Sequence, residues 1–352
     1  MIKYPLFDHA AEELLKLKTP VNKQNLIYSY TEGHRYYHNL DHIEYMLGVL
    51  SNLSNLSNDD RMVLQYAILY HDKVYIPGDK YNEKKSAEQL PPSPLNERAK
   101  ELILSTDLSE SVPKESLEYV MRLCDIWDIF QGYTQKLFFD SLKVEKEFQV
   151  YDYKKYLDGR IKFLDNLRFL DGGRYQSVCS TLQCFARARQ PNIAVYAGTF
   201  NGFHVGHLSI LQKAEEIFDK VIIAVGTDPN KDSEPAYKRC EKLREIFKHH
   251  QVEFFNNYLT DYLASKEYPV TLIRGLRTDV DFKQEEQKLR MMQDFSPDVK
   301  VIFIPCDKKY EHVSSTMVRS MQHIGMSSTC NSANDYLVDY YKVYPHQQVD
   351  LN

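Results

Sequence analysis

The spacing of hydrophobic residues differs between the two halves of this chain. Up to about Phe185, apolar residues recur at helical spacing in successive segments, whereas from Asn192 onward short apolar runs alternate with helical stretches. The helices predicted in the first half span residues 42–53, 60–71, 93–105, 114–129, 135–148 and 153–167. The strands predicted in the second half span residues 193–197, 221–225, 252–255, 270–273 and 299–304. We therefore predict an all-α domain over residues 1–188, followed by an α/β domain over 189–352 whose parallel sheet carries helices on both faces.

Length and composition agree with this division. A chain of 352 residues is too long for one ordinary core, and its 43% hydrophobic and 26% charged residues are typical of globular proteins. The net charge of -5 argues against a chain that binds polyanions as a whole, so we expect no nucleic-acid partner. No apolar run is long enough to span a bilayer, and no signal peptide is evident. Six scattered cysteines without a C-x-x-C pair indicate reduced thiols and a cytoplasmic location.

The most informative local pattern is a glycine-rich turn with two histidines at residues 198–207. It follows the predicted strand 193–197 and precedes an amphipathic helical stretch at 208–218. The N-terminus of a helix presents unpaired backbone N–H groups to anions, and glycines let the backbone approach a phosphate closely. Histidines in the pattern H-x-G-H can then face the same phosphates. This turn predicts phosphate chemistry at the centre of the chain.

Polar residues follow the other predicted strands, where ligands bind to parallel sheets. The set of residues expected at this edge comprises Thr199, His204, His207, Asp228, Lys231, Arg274, Arg277, Ser314, Ser315 and Thr316. Two histidines, a lysine, two arginines and a Ser/Thr-rich helix start suit a nucleoside triphosphate, whose charge must be neutralised as pyrophosphate leaves. The chain has neither G-x-x-x-x-G-K-[ST] nor G-x-G-x-x-G, which weighs against a P-loop kinase and a dinucleotide dehydrogenase.

Residues 192–344 resemble the phosphopantetheine adenylyltransferases of the H-x-G-H nucleotidyltransferase superfamily. The matching segments, in the family's order, are GTFNGFHVGH, VIIAVGTDPNK, LIRGLRTDVDFKQEEQ and VSSTMV. The resemblance implies a Rossmann-like α/β domain that transfers AMP from ATP to 4'-phosphopantetheine, giving dephospho-CoA and pyrophosphate. It also implies Mg²⁺ accompanying ATP, a phosphorylated small-molecule acceptor and a homo-oligomer.

The same resemblance implies a role for each matching residue. His207, with His204 beside it, would stabilise the α-phosphate, while Lys231 and Arg274 would bind phosphates of the acceptor and ATP. Thr199 would hold the substrate phosphate. The residues expected to contact the nucleotide or substrate are Phe200, Arg277, Glu285, Ser314, Ser315 and Thr316.

Three positions depart from the family pattern. Asn201-Gly202 replaces Asp-Pro, His204-Val205 replaces Thr-Asn, and Asp228-Pro229 replaces Asn-Pro. These changes lie in the turn and on the acceptor side. The acceptor therefore stays open at this point, with a nicotinamide or other mononucleotide or a sugar phosphate as the alternatives.

The first half carries its own cluster of chemically active residues. It contains His38 and His42 four residues apart, the dipeptide His71-Asp72 at the end of an apolar helix, and Asp125 on a later helix. Spacing of four predicts that His38 and His42 share one face of a helix. Neutral imidazoles with carboxylates are suitable ligands for Mn, Fe, Ni, Zn or Mg, and such a metal can activate water for phosphoester hydrolysis.

These residues resemble the HD superfamily of metal-dependent phosphohydrolases, through R-x-Y-H-N-x-x-H-I at 35–43, the family's F-H-D-x-x-Y helix end at 70–75, where Tyr70 replaces Phe, and N-E-x-x-S-A at 82–87. The resemblance implies an HD-type helical domain. It implies metal ligation by His42, His71, Asp72 and Asp125, with His38, Asn82 and Glu83 behind the ligands or at the substrate.

One departure from this second family concerns its usual D-x-D pair, because Trp127 stands at that spacing from Asp125 and Asp128 comes one residue later. Hydrolysis therefore stays open beside a non-catalytic domain that senses a metal or nucleotide. A third reading makes the whole chain a nucleotide-binding regulator, but the complete set of histidines, lysine and arginines in the second half argues against it. The leading interpretation is a bifunctional enzyme.

Overall fold

The computed structural model describes residues 3–108, 111–131, 134–169, 173–227, 234–324 and 333–349. Its contacts divide the chain into two compact units. One comprises Met1–Phe148, Lys155–Arg189 and Pro345–Asn352, and the other Gln149–Lys154 and Gln190–Tyr344. The main division falls one residue beyond the predicted boundary at 188/189. The predicted domains also differ from these units in two short segments, because 149–154 packs with the second unit and 345–352 with the first.

Helices build the first unit. Their bounds are α1 Pro5–Lys16, α2 Lys23–Tyr30, α3 Leu40–Ser51, α4 Asn58–Tyr70, α5 Asn82–Ala87, α6 Asn96–Leu104, α7 Leu117–Asp125, α8 Trp127–Gln131, α9 Thr134–Glu147, α10 Tyr153–Phe169 and α11 Gln176–Ala188. Helix α4 lies at the centre of the core, with a run of buried residues from Ile68 to Tyr70. The single helix predicted at 114–129 is wrong, because the chain leaves helical geometry at Ile126 (φ -107°, ψ 25°).

Side-chain caps explain where several of these helices begin. Asn22, Asn39, Ser57 and Ser116 each accept a hydrogen bond from a backbone N–H group in the first turn of the following helix. The Asn39 cap corrects one prediction, because α3 begins only at Leu40 and His38 therefore precedes the helix. His38 and His42 do not share a helical face. Their rings nevertheless lie 6.1 Å apart, since the chain turns at the cap.

A five-stranded parallel sheet builds the second unit. Its strands are β1 Ile193–Gly198, β2 Lys220–Val225, β3 Val252–Phe254, β4 Val270–Leu276 and β5 Val301–Pro305, in the order β3-β2-β1-β4-β5. Its helices are α12 Val205–Ile217, α13 Ala236–Ile246, α14 Leu259–Ala264, α15 Asp279–Phe295, α16 Ser315–Ile324, α17 Ala333–Tyr336 and α18 Tyr340–Val343. The central strands β1 and β2 are almost wholly buried, as their continuous apolar runs require.

Strand β4 is longer than predicted. The prediction ended it at Ile273, but pairing with β5 continues through Arg274, opposite Phe303, to Leu276. Arg274 therefore projects from the strand itself and not from a loop after it. Ladder hydrogen bonds to β5 extend the strand across a polar residue that ends the apolar run.

Two further features concern composition. Among the described helices, none combines the length and apolar character needed to cross a bilayer. The five described cysteines, Cys124, Cys179, Cys184, Cys240 and Cys306, are free thiols, and Cys330 lies outside the described residues.

Candidate functional sites

The turn between β1 and α12 has little steric freedom. Phe200 adopts a left-handed backbone conformation with φ 44°, and Gly202 has φ 89°. A Cβ atom on Gly198 would lie 2.8 Å from the Phe200 ring, and one on Gly206 would lie 3.1 Å from the His204 ring. The glycines are therefore required by close approach of aromatic rings, which bring the turn tightly over the end of β1.

His207 is held by the turn that contains it. Its Nδ1 accepts a hydrogen bond from the backbone N–H of His204 at 3.3 Å. Because a backbone N–H can only donate, Nδ1 carries no proton, and the neutral imidazole has its proton on Nε2. The His204 ring stacks on it with centroids 3.7 Å apart and planes 22° apart. His207 is thus prepared to donate one hydrogen bond from Nε2.

His204 stays uncharged beside it. Its side chain is buried, and its Nδ1 has no hydrogen-bond partner. Burial, together with the positive charge of Arg277, lowers the pKa of His204 to about 4. A neutral His204 can stack on His207 without charge repulsion, so only one of the two imidazoles is positioned to respond to a phosphate.

Arg274 reaches the same turn from β4. Its Nη1 donates to the carbonyl oxygen of Ala197 at 3.1 Å, and its Nε pairs with the carboxylate of Glu285 on α15. Lys288 also donates to Glu285, at 2.8 Å, and these cations hold the pKa of Glu285 below its ordinary value against the effect of burial. Glu285 therefore positions Arg274 and is itself engaged by two cations.

Arg277 lies where β4 runs into α15, and its side chain is exposed. Its Nε and Nη2 donate to the two carboxylate oxygens of Asp281 at 3.0 and 3.2 Å. Thr278 caps α15 by accepting from the N–H of Asp281. The guanidinium is thus held at the start of a helix, with an anion partner that a phosphate would have to displace.

The start of α16 docks on the glycine-rich turn. The Ser314 hydroxyl accepts from the N–H of Met317 and caps the helix, and the Ser315 hydroxyl donates to the carbonyl oxygen of Gly202 at 3.2 Å. Arg319, which the sequence reasoning missed, donates to the carbonyl oxygen of Asn201 at 2.7 Å and to the Thr316 hydroxyl at 3.3 Å. Residues more than 110 positions apart therefore meet at one edge of the sheet.

The remaining predicted residues differ in what they present. Thr199 is half-buried directly after β1. The Phe200 side chain is buried against Tyr196, Phe203 and His207, so only its backbone is available to a ligand. Asp228 and Lys231 lie outside the described residues.

These contacts define what the edge can do. The end of β1 is surrounded by the N-terminus of α16, the donor imidazole of His207 and the oriented guanidinium groups of Arg274 and Arg277. Each of these groups stabilises an anion. Among the described residues of this edge, none is a nucleophile held by a neighbouring base. It is suited to orienting and neutralising a polyphosphate, so that its catalysis consists of positioning and electrostatic stabilisation.

A second cluster lies in the helical unit. The ligand atoms of His42 on α3, His71 at the end of α4, and Asp72 lie within 4.8 Å of one another. Asp125 at the end of α7 approaches them, with its Oδ1 3.1 Å from His42 Nε2 and 4.0 Å from His71 Nε2. Three separate helix segments thus bring all four predicted ligands to one point.

The state of His71 fits a metal. Its Nδ1 lies 2.9 Å from the carbonyl oxygen of Ile68, which can only accept, so Nδ1 is protonated and Nε2 is the nitrogen left to bind a metal. Nε2 is buried and lies 3.0 Å from Asp72 Oδ2 and 4.0 Å from Asp125 Oδ1, so its nearest partners are the two carboxylates among the candidate ligands. A backbone carbonyl that orients a metal-binding histidine in this way is a common arrangement, and two imidazoles with two carboxylates suit a divalent transition metal.

Charge in this cluster is strongly coupled. Burial alone would lower the pKa of His71, but the adjacent Asp72 carboxylate outweighs it and raises the pKa to about 9. Burial would raise the pKa of Asp72, but His71, His38 and His42 lower it well below its usual range. The carboxylate is therefore ionised, as metal ligation requires.

Asn82 and Ser86 stabilise a loop of the backbone, whereas Glu83 does not. The Asn82 amide both accepts from and donates to the backbone of Ile76, at 2.9 Å each, so it closes the 76–82 loop. Ser86 does the same with the backbone of Val74 at 3.1 Å. Glu83 is half-buried, and burial together with nearby Asp72 raises its pKa. Of the N-E-x-x-S-A segment, Glu83 is thus the residue that interacts electrostatically with the cluster.

Asp128 does not supply the second carboxylate of a D-x-D pair. Tyr45 donates its hydroxyl to Asp128 Oδ1, and Lys136 forms an ion pair with the other oxygen. Lys136 also pairs with Asp140 at 2.7 Å. Asp128 therefore belongs to a network beside the cluster, and Asp125 alone approaches the histidines from this part of the chain.

Glu147 also belongs to this region, although no sequence pattern indicated it. This buried carboxylate at the end of α9 lies 2.6 Å from His38 Nδ1 and accepts from the Tyr75 hydroxyl at 2.8 Å. It accepts from the backbone N–H groups of Tyr37 and His38 at 2.7 and 2.9 Å. No spacing in the sequence connects it with a histidine 109 residues earlier.

Comparison with known proteins concerns the sheet-containing unit. The cytidylyltransferase-like family model matches residues 195–321. The phosphopantetheine adenylyltransferase of Lawsonia intracellularis is 37% identical over 139 residues, which cover 38% of this chain and 79% of that protein. The enzyme of the same name from Ralstonia pickettii is 36% identical over 137 residues, covering 38% and 81%. That of Mycoplasma capricolum subsp. capricolum is 34% identical over 134 residues, covering 37% and 96%.

Proposed function

Through its sheet-containing unit the chain belongs to the phosphopantetheine adenylyltransferase family of cytidylyltransferase-like nucleotidyltransferases, and we propose that this unit transfers AMP from ATP to 4'-phosphopantetheine. The observation that carries the proposal is the group formed by His207, Arg274 and the start of α16 around one glycine-rich turn. Relatives of more than 30% identity bearing the name of that enzyme support the choice of acceptor.

The reaction needs no covalent enzyme intermediate. An oxygen of the acceptor phosphate forms a new bond to the α-phosphorus of ATP while the bond to the β-phosphate oxygen breaks, and pyrophosphate leaves with the electron pair. His207 would donate its Nε2 proton as a hydrogen bond to an α-phosphate oxygen, where negative charge increases. Arg274 would bind a neighbouring phosphate, and the α16 N-terminus the β- and γ-phosphates. Mg²⁺ would enter with ATP as part of the substrate.

Purified protein with MgATP and 4'-phosphopantetheine tests the proposal through release of pyrophosphate. We expect turnover that falls at least about 100-fold in His207→Ala, the cost of losing one donor to the transition state. Nicotinamide mononucleotide and a sugar phosphate serve as competing acceptors. Release from one of these alone would move the proposal to another acceptor. Release that is equal in wild type and His207→Ala would contradict adenylyl transfer at this site.

For the helical unit we propose a metal-dependent phosphohydrolase of the HD type, with His42, His71, Asp72 and Asp125 as the ligands. The convergence of the ligand atoms of His42, His71 and Asp72 within 4.8 Å, with Asp125 Oδ1 4.0 Å from His71 Nε2, favours it over a purely structural histidine cluster. A divalent metal here would supply an activated water for attack on a phosphate ester. Hydrolysis and transfer in one chain would make a bifunctional enzyme, and we propose a homo-oligomer in solution.

Metal analysis of the purified protein tests the second proposal. We expect about one divalent metal per chain in wild type, and its loss in a variant carrying His71→Ala and Asp72→Ala. A matched control is His9→Ala, which changes an exposed histidine in the same unit. Metal content equal in all three proteins would remove the proposal. Metal without hydrolysis of any nucleoside monophosphate would favour the sensing role.

A further inference from the structure

Glu147 is placed unusually for a structural carboxylate. Its side chain is fully buried and both of its oxygens are used in the 37–38 turn beside the metal cluster. Oε1 accepts the backbone N–H groups of Tyr37 and His38, while Oε2 faces His38 Nδ1 at 2.6 Å and accepts from the Tyr75 hydroxyl. Four hydrogen bonds converge on one carboxylate, which thereby fixes both the backbone and the ring of His38.

This arrangement determines the tautomer of His38. A carboxylate can only accept, so Nδ1 of His38 carries a proton, and the neutral ring has its lone pair on Nε2. The ring also stacks on Tyr75, with centroids 4.1 Å and planes 26° apart, which removes its rotational freedom. Tyr75 therefore holds the ring plane while Glu147 holds its direction.

His38 lies beside the candidate ligands but is not one of the residues whose ligand atoms lie within 4.8 Å of one another. Its ring centroid lies 6.1 Å from that of the candidate ligand His42. A histidine whose far nitrogen is anchored on a buried carboxylate presents its other nitrogen in one fixed orientation. Catalytic histidines commonly depend on such a partner.

We propose that Glu147 is a positioning residue of the helical unit, holding His38 so that Nε2 is the nitrogen presented to a phosphate ester or its attacking water. The inference rests on the phosphohydrolase proposed above. It assigns a function to a residue that lies in none of the recognisable motifs.

The substitution Glu147→Gln gives a sharp test because the two oxygens have different partners. The two backbone N–H groups require an acceptor, so they hold the amide oxygen, and the amide NH₂ then faces His38 Nδ1. An NH₂ group can only donate, and Nδ1 must lose its proton to accept. We therefore expect the tautomer of His38 to reverse, with the proton moving to Nε2.

The tautomer can be read from two-bond ¹H–¹⁵N spectra of the full chain labelled at histidine, with His38 assigned by His38→Gln. Hydrolysis of adenosine 5'-monophosphate and para-nitrophenyl phosphate, each with Mn²⁺, is measured on the same proteins. We expect Glu147→Gln to lower kcat by about 10²- to 10⁴-fold with KM changed less than about threefold. Glu145→Gln is the matched control, because Glu145 lies on the same helix and pairs with Arg189.

The outcomes are separable. Reversal of the tautomer together with a selective fall in kcat supports the inference. An unchanged tautomer in Glu147→Gln, or a reversed tautomer with unchanged kcat, overturns it, as would an equal effect of Glu145→Gln. Glu147→Asp, which keeps the charge, should retain the wild-type tautomer. If the wild type hydrolyses neither ester, the phosphohydrolase proposal fails, whereas the spectra still decide whether Glu147 sets the state of His38.

Discussion

Single histidines lie at the centre of both candidate sites, and their environments differ in kind. His207 is oriented by a backbone N–H and His71 by a backbone carbonyl, so Nδ1 accepts a hydrogen bond in the first and donates one in the second. The first offers its Nε2 proton to an anion, whereas a metal could bind the second at Nε2 by displacing the proton that this nitrogen shares with Asp72. Hydrogen bonds to the main chain therefore select which ligand each imidazole can take.

His204 makes stability depend on pH. Its pKa is about 4 in the folded chain and near 6.5 when unfolded, so the unfolded chain binds more protons between these values. Stability is therefore lost as the pH falls through this window. We expect a loss of about 2 kcal/mol from pH 7 to pH 5 that is absent in His204→Asn. Asn is a favoured residue at the helix N-cap, where His204 lies, so the variant keeps the start of α12.

Urea unfolding followed by circular dichroism at both pH values measures this difference. The comparison between wild type and variant cancels groups that titrate in both proteins. An equal slope of unfolding free energy against pH in the two proteins would show that His204 titrates normally in the folded state.

Residues next to recognisable patterns could be predicted, and residues defined only by folding could not. His204, His207 and Arg274 follow apolar runs, and strand ends meet at one edge of a parallel sheet. Arg319 and Glu147 bind main-chain groups 118 and 109 residues away, which no local pattern encodes. The prediction for His38 and His42 was wrong in geometry because a cap at Asn39 starts the helix between them.

At the scale of elements, the connection from β1 to α12 depends on ring packing. The Phe200 ring lies over Gly198 and also contacts Tyr196 and His207. An aromatic ring cannot move aside as the end of a flexible chain can. The turn is therefore held in place by the same residue whose strained backbone forms it, and its geometry is sensitive to one added methyl group.

We expect Gly198→Ala to destabilise the sheet-containing unit by about 1 to 3 kcal/mol, because the new Cβ would lie 2.8 Å from the Phe200 ring. Adenylyl transfer should fall as well, since displacement of Phe200 moves His207. Gly159→Ala is the control. Gly159 lies on helix α10, and a Cβ atom at this position would meet nothing within 4 Å. It should be neutral or stabilise by up to about 1 kcal/mol. Equal unfolding free energies for the two variants would contradict this account of the turn.

At the scale of the whole molecule, each unit is completed by a segment from elsewhere in the chain. The buried ammonium of Lys220, at the start of β2, donates to the carbonyl oxygens of Gln149 and Tyr151. In the helical unit, Gln347 donates through its backbone N–H to Thr31 and through its amide to the carbonyl oxygen of Arg35. A boundary drawn between residues 188 and 189 would separate both units from these segments. The spacing of apolar residues predicted that boundary because it does not indicate where a short polar segment packs.

The segment from Pro345 to Val349 should stabilise the helical unit. Its two hydrogen bonds from Gln347 contribute about 1 kcal/mol each, and Val349 packs against the apolar core. The Arg35 that receives one of these bonds donates to the carbonyl oxygens of Asp72 and Lys73, next to the candidate ligands. Ending the chain after Tyr344 should therefore lower the unfolding free energy of this unit by about 2 kcal/mol or more.

The chain's single tryptophan, Trp127, packs against the helical core and makes this prediction measurable, because its fluorescence in urea reports that unit. Gln347→Ala should reproduce about half of the loss, since its backbone bond to Thr31 survives while its amide bond to Arg35 does not. Gln348→Ala, at an exposed neighbouring position, should have no effect. If truncation and both substitutions leave the fluorescence midpoint at the wild-type value, the segment only lies on the surface. If the truncation and Gln347→Ala lower the midpoint while Gln348→Ala does not, the contact with Arg35 links the last described residues of the chain to the loop that carries Asp72.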